Sequence, residues 1–148
     1  FIARRLLILA SEDVGLANPN ALLLANATFD AVQKIGWPES RIILAECVIY
    51  LANSPKSNSA YMAINKAQQV VRNEKPSPVP LHLRNAPTSL MKDLGYGDNY
   101  KYVHDFPGNF VNQEYLPDQH KGTTFFEPGQ NERKAKDALQ QLWPKYNY

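Results

Sequence analysis

The sequence lacks most of the features that would place it at once in a functional class. It has one cysteine, Cys47, which excludes a disulfide framework and a zinc site built from several cysteines. Its longest uncharged apolar run, Cys47–Ala52, has six residues, whereas a membrane-spanning helix needs about 18 or more. Its formal net charge is +2, so bulk charge does not indicate a protein that binds nucleic acid or membranes.

Residues associated with catalysis or cofactor binding are also scarce. Neither G-x-x-x-x-G-K-[ST] nor G-x-G-x-x-G occurs, so the chain has no recognisable phosphate-binding loop. The histidines His82, His104 and His120 are far apart in sequence and lack the spacing of a metal site. The sequence therefore predicts no catalytic, cofactor-binding or metal-ligating residue, and we do not expect this chain to be an enzyme by itself.

The overall composition is that of an ordinary globular domain. The chain has 148 residues, of which 44% are hydrophobic and 20% are charged, enough for one domain with a core. It begins at Phe1, and the helical pattern is already present at Ile2, so we expect a piece of a longer polypeptide. A single thiol and the lack of a secretory leader favour a cytoplasmic protein.

The composition changes near residue 75. Residues 1–75 contain three of the eleven prolines and two of the seven glycines, whereas eleven of the sixteen aromatic residues follow residue 75. Proline and glycine interrupt regular structure. We therefore predict a mainly α fold, with a helical bundle in residues 1–75 and a looped, aromatic-rich extension in residues 76–148 that ends in a helix.

Two helices are predicted at the start of the chain. The first runs from before Ile2 to about Glu12. The second is predicted over Pro19–Ile35, with Asn18 as its N-cap and Gly36 as its end. Its inward face is predicted to consist of four apolar residues, and Asp30 and Lys34 are spaced to form an ion pair on its surface. The inward residues are Leu22, Ala25, Phe29 and Val32.

The third helix is unusual because it is apolar on nearly every side. It is predicted to restart at Pro38, and between Ile42 and Ala52 only Glu46 is charged. A helix of this kind is central to a bundle or is covered by another subunit. Glu46 then needs an Arg or Lys partner, either in the core or across a subunit contact, so we predict a buried or interface charge at this position.

The remaining elements are shorter or less regular. The Ser54-Pro55 pair predicts a cap that begins a helix reaching about Asn73, with Ala60, Ile64, Ala67 and Val71 along one side. Pro76–Pro80 should be extended, a helix capped by Thr88 should span Ser89–Leu94, and a last helix should span Asn131–Trp143. Short strands are compatible with the sequence at residues 101–103 and 124–126.

A nucleic-acid-binding module is the alternative function that the residues allow. Helix 58–73 follows a corner that resembles a helix-turn-helix, but Lys66 and Arg72 are its only cations, so phosphate binding by the helix alone would be weak. Aromatic residues within 96–126 have the chemistry to stack on single-stranded bases. They are also typical of a hydrophobic cluster that holds a long loop: Tyr96, Tyr100, Tyr102, Phe106, Phe110 and Tyr115.

Several longer motifs resemble one family. The sequence PLHLRNAPT at Pro80–Thr88 is followed by LGYG at Leu94–Gly97. Together with the other motifs, these resemble the C-terminal domain of the RarA/MgsA family of AAA+ ATPases, which act in replication-associated recombination and are similar to the Werner-helicase-interacting ATPase. The other motifs are SEDVGLA at 11–17, YLA at 50–52, PKSN at 55–58, YLP at 115–117 and FFEP at 125–128.

The resemblance implies a non-catalytic role for this domain. It implies a helical unit like the collar of clamp loaders, which holds a homotetramer together behind the ATPase motors. The parent would be a cytoplasmic, nucleoid-associated, DNA-dependent ATPase that acts at stalled replication forks and contacts single-strand-binding protein. ATP and Mg²⁺ would bind to residues before Phe1, so no catalytic residue is transferred to this chain.

Three cations beside the matching motifs are candidate contacts for a partner or for DNA. Lys56, Arg84 and Lys92 lie in or next to predicted turns. Their alternative role is that of solvated surface charges, which is the usual state of lysine and arginine side chains.

Overall fold

A computed structural model describes residues 1–144, without the side chain of Arg133. The chain is mainly helical, which confirms the predicted fold class. The helices are α1 (Ile2–Leu9), α2 (Asn20–Ile35), α3 (Ser40–Ala52), α4 (Ser59–Asn73), α5 (Ser89–Asp93) and α6 (Arg133–Leu142). A π-helical segment, Ala10–Val14, extends α1, and a 3₁₀ turn at Gly15–Ala17 connects it to α2.

The core lies where α1, its π-helical extension, α2 and α3 meet. Its buried members are small and medium-sized, with Val14, Cys47 and Leu51 completely enclosed. Small residues let the helices approach closely, and the apolar burial drives their association. The full cluster consists of Leu6, Ala10, Val14, Ala21, Ala25, Cys47 and Leu51.

The inward face of α2 agrees with the predicted one except at its start. Ala21, Ala25 and Thr28 are buried, whereas Leu22 is 44% exposed. Of the predicted face, Ala25 is buried and Phe29 and Val32 are partly buried, so the prediction is wrong at Leu22, where the small residue Ala21 takes the buried position instead. The predicted end of the helix at Gly36 and the Asp30–Lys34 ion pair (3.9 Å) are both confirmed.

Both predicted capping pairs are wrong in detail. Asn18 does not cap α2, because its side-chain amide donates to the Tyr50 and Ser54 hydroxyls, each at 3.0 Å. The Ser54 hydroxyl donates to the Tyr50 carbonyl oxygen at 2.8 Å, so this residue closes α3 instead of opening the next helix. The fourth helix, predicted over 58–73, begins at Ser59 and ends at Asn73.

Helix α4 packs on the looped part of the chain and on the Gly15–Ala17 turn. The side predicted to be buried is largely outside, since Ala60, Ile64 and Val71 are exposed. Burial instead centres on Ser59 and on the partly buried side chains that follow it at helical spacing: Ala63, Ala67 and Val70.

The looped part is held by turns and side-chain hydrogen bonds. The extended Pro76–Pro80 segment and the Thr88 cap of α5, which accepts from the Met91 amide at 3.3 Å, are confirmed. The strand predictions at 101–103 and 124–126 are wrong for these described residues. The Lys101 amide donates to the Gln113 side chain at 2.7 Å, so a side chain takes the place of a neighbouring strand.

Candidate oligomerisation surface

Helix α3 has an inner and an outer face of similar hydrophobicity. Its inner face contributes Cys47 and Leu51 to the core. On its outer face Ile42 and Ile49 are each 62% exposed, and Val48 is 45% exposed. The helix therefore lies at the surface of this chain and not at the centre of its bundle. The chain covers only one of its two apolar sides, which leaves the other predicted setting, a helix covered by another subunit.

Glu46 lies on the exposed side of α3. The prediction of a buried charge is wrong, because this helix has a solvent-facing side on which the carboxylate is hydrated. Within residues 1–144 the carboxylate has neither a hydrogen bond nor an ion pair. The other prediction for Glu46, a charge at a subunit interface, stays a prediction.

Both ends of α3 are fixed by specific contacts. At its start, Gly36 has a φ of 73°, the Trp37–Pro38 peptide is cis, and the Ser40 hydroxyl donates to the Gly36 carbonyl oxygen. At its end, the Lys56 ammonium donates to the Leu51 carbonyl oxygen at 2.8 Å. A cation is favourable there because the C-terminus of a helix carries partial negative charge. The outer face is therefore presented by a helix that is anchored at both ends.

The three candidate cations have different surroundings. Lys56 closes α3, as described above. The Arg84 side chain donates to the Val79 carbonyl oxygen at 2.6 Å and to the Tyr96 hydroxyl at 3.1 Å, and its guanidinium lies 5.0 Å from the Tyr96 ring centroid. Lys92 is exposed on α5. Two of the three thus contribute to the chain's own structure, and their predicted contacts with a partner or DNA stay predictions.

Sequence reasoning missed a polar junction between the two parts of the chain. Glu132 is buried, and it accepts from the Ser59 hydroxyl at 2.6 Å and from the Gly129 amide at 2.9 Å. The Ser57 amide donates to the Asp13 carbonyl oxygen at 2.8 Å. The start of α6 is therefore tied to the corner before α4, and that corner is tied to the π-helical segment Ala10–Val14. No motif marks a glutamate 73 residues away as the partner of Ser59.

Two opposing effects act on the Glu132 carboxylate. Burial by itself raises its pKa, because it disfavours the charged form. Hydrogen bonds from the Ser57 and Ser59 hydroxyls and from the Gly129 amide favour the charged form and outweigh burial, so the pKa lies below its ordinary value of 4.5. The junction therefore depends on an ionised carboxylate.

Each of the three histidines contacts another residue of this chain. His82 Nε2 is 2.8 Å from the Glu114 carbonyl oxygen, and His120 Nε2 is 3.1 Å from the Glu74 carboxylate. The His104 ring centroid lies 5.0 Å from that of Tyr102. Among the described residues there is no cluster of three or more His, Cys, Asp or Glu side chains suited to a metal ion. Nor does any helix there have the length and hydrophobicity to cross a membrane.

The two cations of α4, on which DNA binding by this helix would depend, are exposed but already engaged. Lys66 forms an ion pair with Glu127 at 3.2 Å, and the Arg72 guanidinium donates to Gln68 at 3.4 Å. Among the loop aromatics, Phe110 packs edge-on against Trp143 at 5.1 Å, and Tyr100 remains half exposed. These contacts leave few free cations for phosphate groups on this helix.

Residues 1–145 match the family described as the MgsA AAA+ ATPase C terminal. This chain belongs to that family. It is 43% identical over 145 residues to replication-associated recombination protein A of Haemophilus influenzae, covering 96% of this chain and 32% of that protein. It is 45% identical over 128 residues to the ATPase WRNIP1 of Dictyostelium discoideum, covering 86% and 15% respectively.

An uncharacterised protein of Thermotoga maritima is 48% identical over 147 residues, with 98% of this chain and 24% of that protein covered. The chain thus spans about a third or less of the length of these relatives. The predicted membership of the RarA/MgsA family is confirmed, and with it the assignment of the chain to the C-terminal domain of an AAA+ ATPase family. The role of the MgsA C-terminal domain in the whole protein is a separate question.

Proposed function

We propose that this MgsA C-terminal domain is a non-catalytic oligomerisation unit, which holds several copies of its parent ATPase together. The observation that carries this proposal is the outer face of α3. Ile42, Val48 and Ile49 are exposed on a helix whose other side is in the core. Exposed apolar residues of this kind are typical of subunit contacts, and symmetric self-association is the usual way in which they are covered.

The chemistry of the parent is assigned to sequence outside this chain. The residues of the domain do not fit ATP and Mg²⁺, since no phosphate-binding loop occurs and the described residues contain no cluster of acidic ligands. The proposed parent is a cytoplasmic, DNA-dependent ATPase that assembles as a homotetramer at stalled replication forks and contacts single-strand-binding protein. The family membership supports this role.

Static light scattering with size-exclusion chromatography tests the oligomerisation directly. The purified 148-residue chain is expected to elute as a multiple of 16.7 kDa at micromolar concentration. Ile49→Lys, which places a charge at the centre of the outer face, is expected to shift the mass toward the monomer. The matched control Leu90→Lys introduces the same charge at an exposed leucine on α5 and should leave the mass unchanged. A wild-type chain that is monomeric throughout this range would contradict the proposal.

DNA binding is tested on the same samples. Titration with single-stranded and forked DNA at two salt concentrations is expected to show only weak binding, because the net charge is small and the cations of α4 are partly paired. Tight binding with a steep salt dependence would favour a DNA-binding module that uses helix 58–73 or the aromatic loops 96–126.

A further inference from the structure

The outer face of α3 has a regular spacing. Ile42, Ala45, Ile49 and Ala52 are exposed and follow one another at intervals of three, four and three residues. Apolar residues at this spacing occupy the a and d positions of a heptad, which form the contact line between two paired helices. The core-facing residue Cys47 occupies position f, on the opposite side of α3. The heptad is therefore separate from the packing of α3 within its own domain.

Two opposite charges border this contact line. In the same register Arg41 occupies position g and Glu46 occupies position e, and both side chains are exposed. Neither the guanidinium nor the carboxylate has an ion-pair or hydrogen-bond partner among residues 1–144. Residues at g and e form ion pairs between neighbouring helices, and in parallel pairs the partner lies five positions further along the other helix. Arg41 and Glu46 are separated by this interval.

We propose that α3 pairs in parallel with α3 of a second copy, so that Arg41 of each copy forms an ion pair with Glu46 of the other. The inference rests on the proposed oligomerisation function and specifies its surface, direction and partner. A two-fold axis that runs along the helices places the g border of one helix against the e border of the other. In an antiparallel pair the g borders would instead face each other and the e borders would face each other, so Arg41 of one copy would not meet Glu46 of the other.

The parallel direction has a consequence for how the two copies of a pair are oriented. Copies related by an axis along α3 all present the same end of the domain at the same level. Both Phe1 residues of the pair would then lie on one side of it, and the two proposed ATPase motors would be gathered there. A rotation of this kind closes on itself, as most soluble homo-oligomers do.

Charge reversal tests the ion pair. Arg41→Glu and Glu46→Arg are each expected to raise the dissociation constant of the oligomer by about tenfold, because each replaces two attractive contacts with two repulsive ones. The double variant R41E/E46R restores opposite charges across a parallel contact and is expected to return the constant to within about threefold of wild type. In an antiparallel contact Arg41 and Glu46 of the two copies do not pair, so neither single variant would turn an attractive contact into a repulsive one. Single variants without an effect, or a double variant that is not rescued, would overturn the inference.

Cross-linking tests the direction independently. Ala45→Cys and Ala52→Cys place a thiol at successive d positions, and the wild-type chain is the control because its one thiol, Cys47, is buried. With a short bismaleimide, each variant is expected to cross-link to itself, and a mixture should yield little of the 45–52 product. A predominant 45–52 product would show an antiparallel contact and overturn the proposed direction.

The outcome for the wild-type chain separates this inference from the proposed function. A wild-type oligomer that is insensitive to both charge reversals and gives no cross-link at position 45 or 52 would overturn the α3 pairing and leave oligomerisation through another surface. A wild-type monomer in light scattering would overturn both. Circular dichroism of each variant establishes that the helical content is retained.

Discussion

The helical part of the chain, residues 1–73, contains all seven members of the buried apolar cluster. In the looped part, residues 74–144, the buried side chains among those described are polar, namely Gln113 and Glu132. The two parts thus exclude water by different means. Helices satisfy their own backbone groups and can associate through apolar side chains, whereas irregular backbone needs side-chain partners for its polar groups. The contrast predicts which substitutions are costly in each part.

The largest effect is expected from Leu51→Ala. Leu51 is completely buried between α1, α2 and α3, and truncation of a buried leucine lowers the free energy of unfolding by about 3–4 kcal/mol, through lost burial and the cavity left behind. Urea denaturation followed by circular dichroism measures the change. The control Leu94→Ala removes the same atoms from a leucine of the looped part that is 55% exposed, and about 0.5 kcal/mol is expected. Equal losses would show that the apolar core is not confined to the helical part.

The second largest effect is expected within the helical part, at Gly15→Ala, where the turn after α1 approaches the corner before α4. A Cβ atom there would lie 2.4 Å from the Ser57 carbonyl oxygen, and the φ of 51° is one that alanine rarely adopts. We expect a loss of about 2–3 kcal/mol in the free energy of unfolding, because the overlap adds to the backbone strain. Gly36→Ala is the matched control, since φ is 73° but nothing lies within 4 Å of the added atom. It isolates the strain, for which about 1 kcal/mol is expected.

The helical part was largely predictable because its signals are local. Gly36 ends α2, and the Asp30–Lys34 pair is a property of one helix surface. The errors arose where a side chain has a distant partner. Asn18 and Ser54 both favour helix caps by residue type, yet Asn18 bonds to Tyr50 and to Ser54 across 32 and 36 residues. Local capping preference is worth about 1 kcal/mol, which such tertiary contacts can outweigh.

The sequence predicted that α3 has an apolar contact surface, but not which of its residues form that surface. The low polarity of α3 indicated a helix covered on both sides, and the structure adds that one of those sides is left open by this chain. Which residues face outward depends on how α1 and α2 pack, and this is decided by small residues such as Ala21 and Ala25. The Glu132 junction was not predictable, since its partners Ser59 and Gly129 carry no shared motif.

An intermediate effect is expected at that junction from Glu132→Gln. The change removes the charge that three donors stabilise, and we expect a loss of about 2 kcal/mol in the free energy of unfolding at pH 7. Glu127→Gln is the control, because this glutamate lies in the same segment but is exposed. A change of about 0.5 kcal/mol is expected there. Hydrogen exchange of the amides around Gly129 and Ser59 should show the loss at the junction itself.

The acid dependence of stability provides a second measurement of the same carboxylate. Because the pKa of Glu132 is lowered on folding, its contribution is complete above the ordinary value of 4.5 and is lost as the pH falls through the lower folded-state value. The difference in stability between the wild type and Glu132→Gln should therefore be constant above about pH 5.5 and decrease below the ordinary value. A difference that grows on acidification would contradict the ionised junction.

The smallest effect is expected from Glu74→Gln, at an exposed contact within the looped part. The Glu74 carboxylate lies 3.1 Å from His120 Nε2 and accepts from the Gln119 amide at 3.1 Å. Because Glu74 is partly exposed, we expect a loss of about 0.5 kcal/mol, which urea denaturation can measure. Asp30→Asn is the control within one helix, and about 0.3 kcal/mol is expected. A loss above about 2 kcal/mol at Glu74 would mean that exposed polar contacts stabilise the loops as strongly as the buried carboxylate does. Burial would then no longer explain why the two parts of the chain differ.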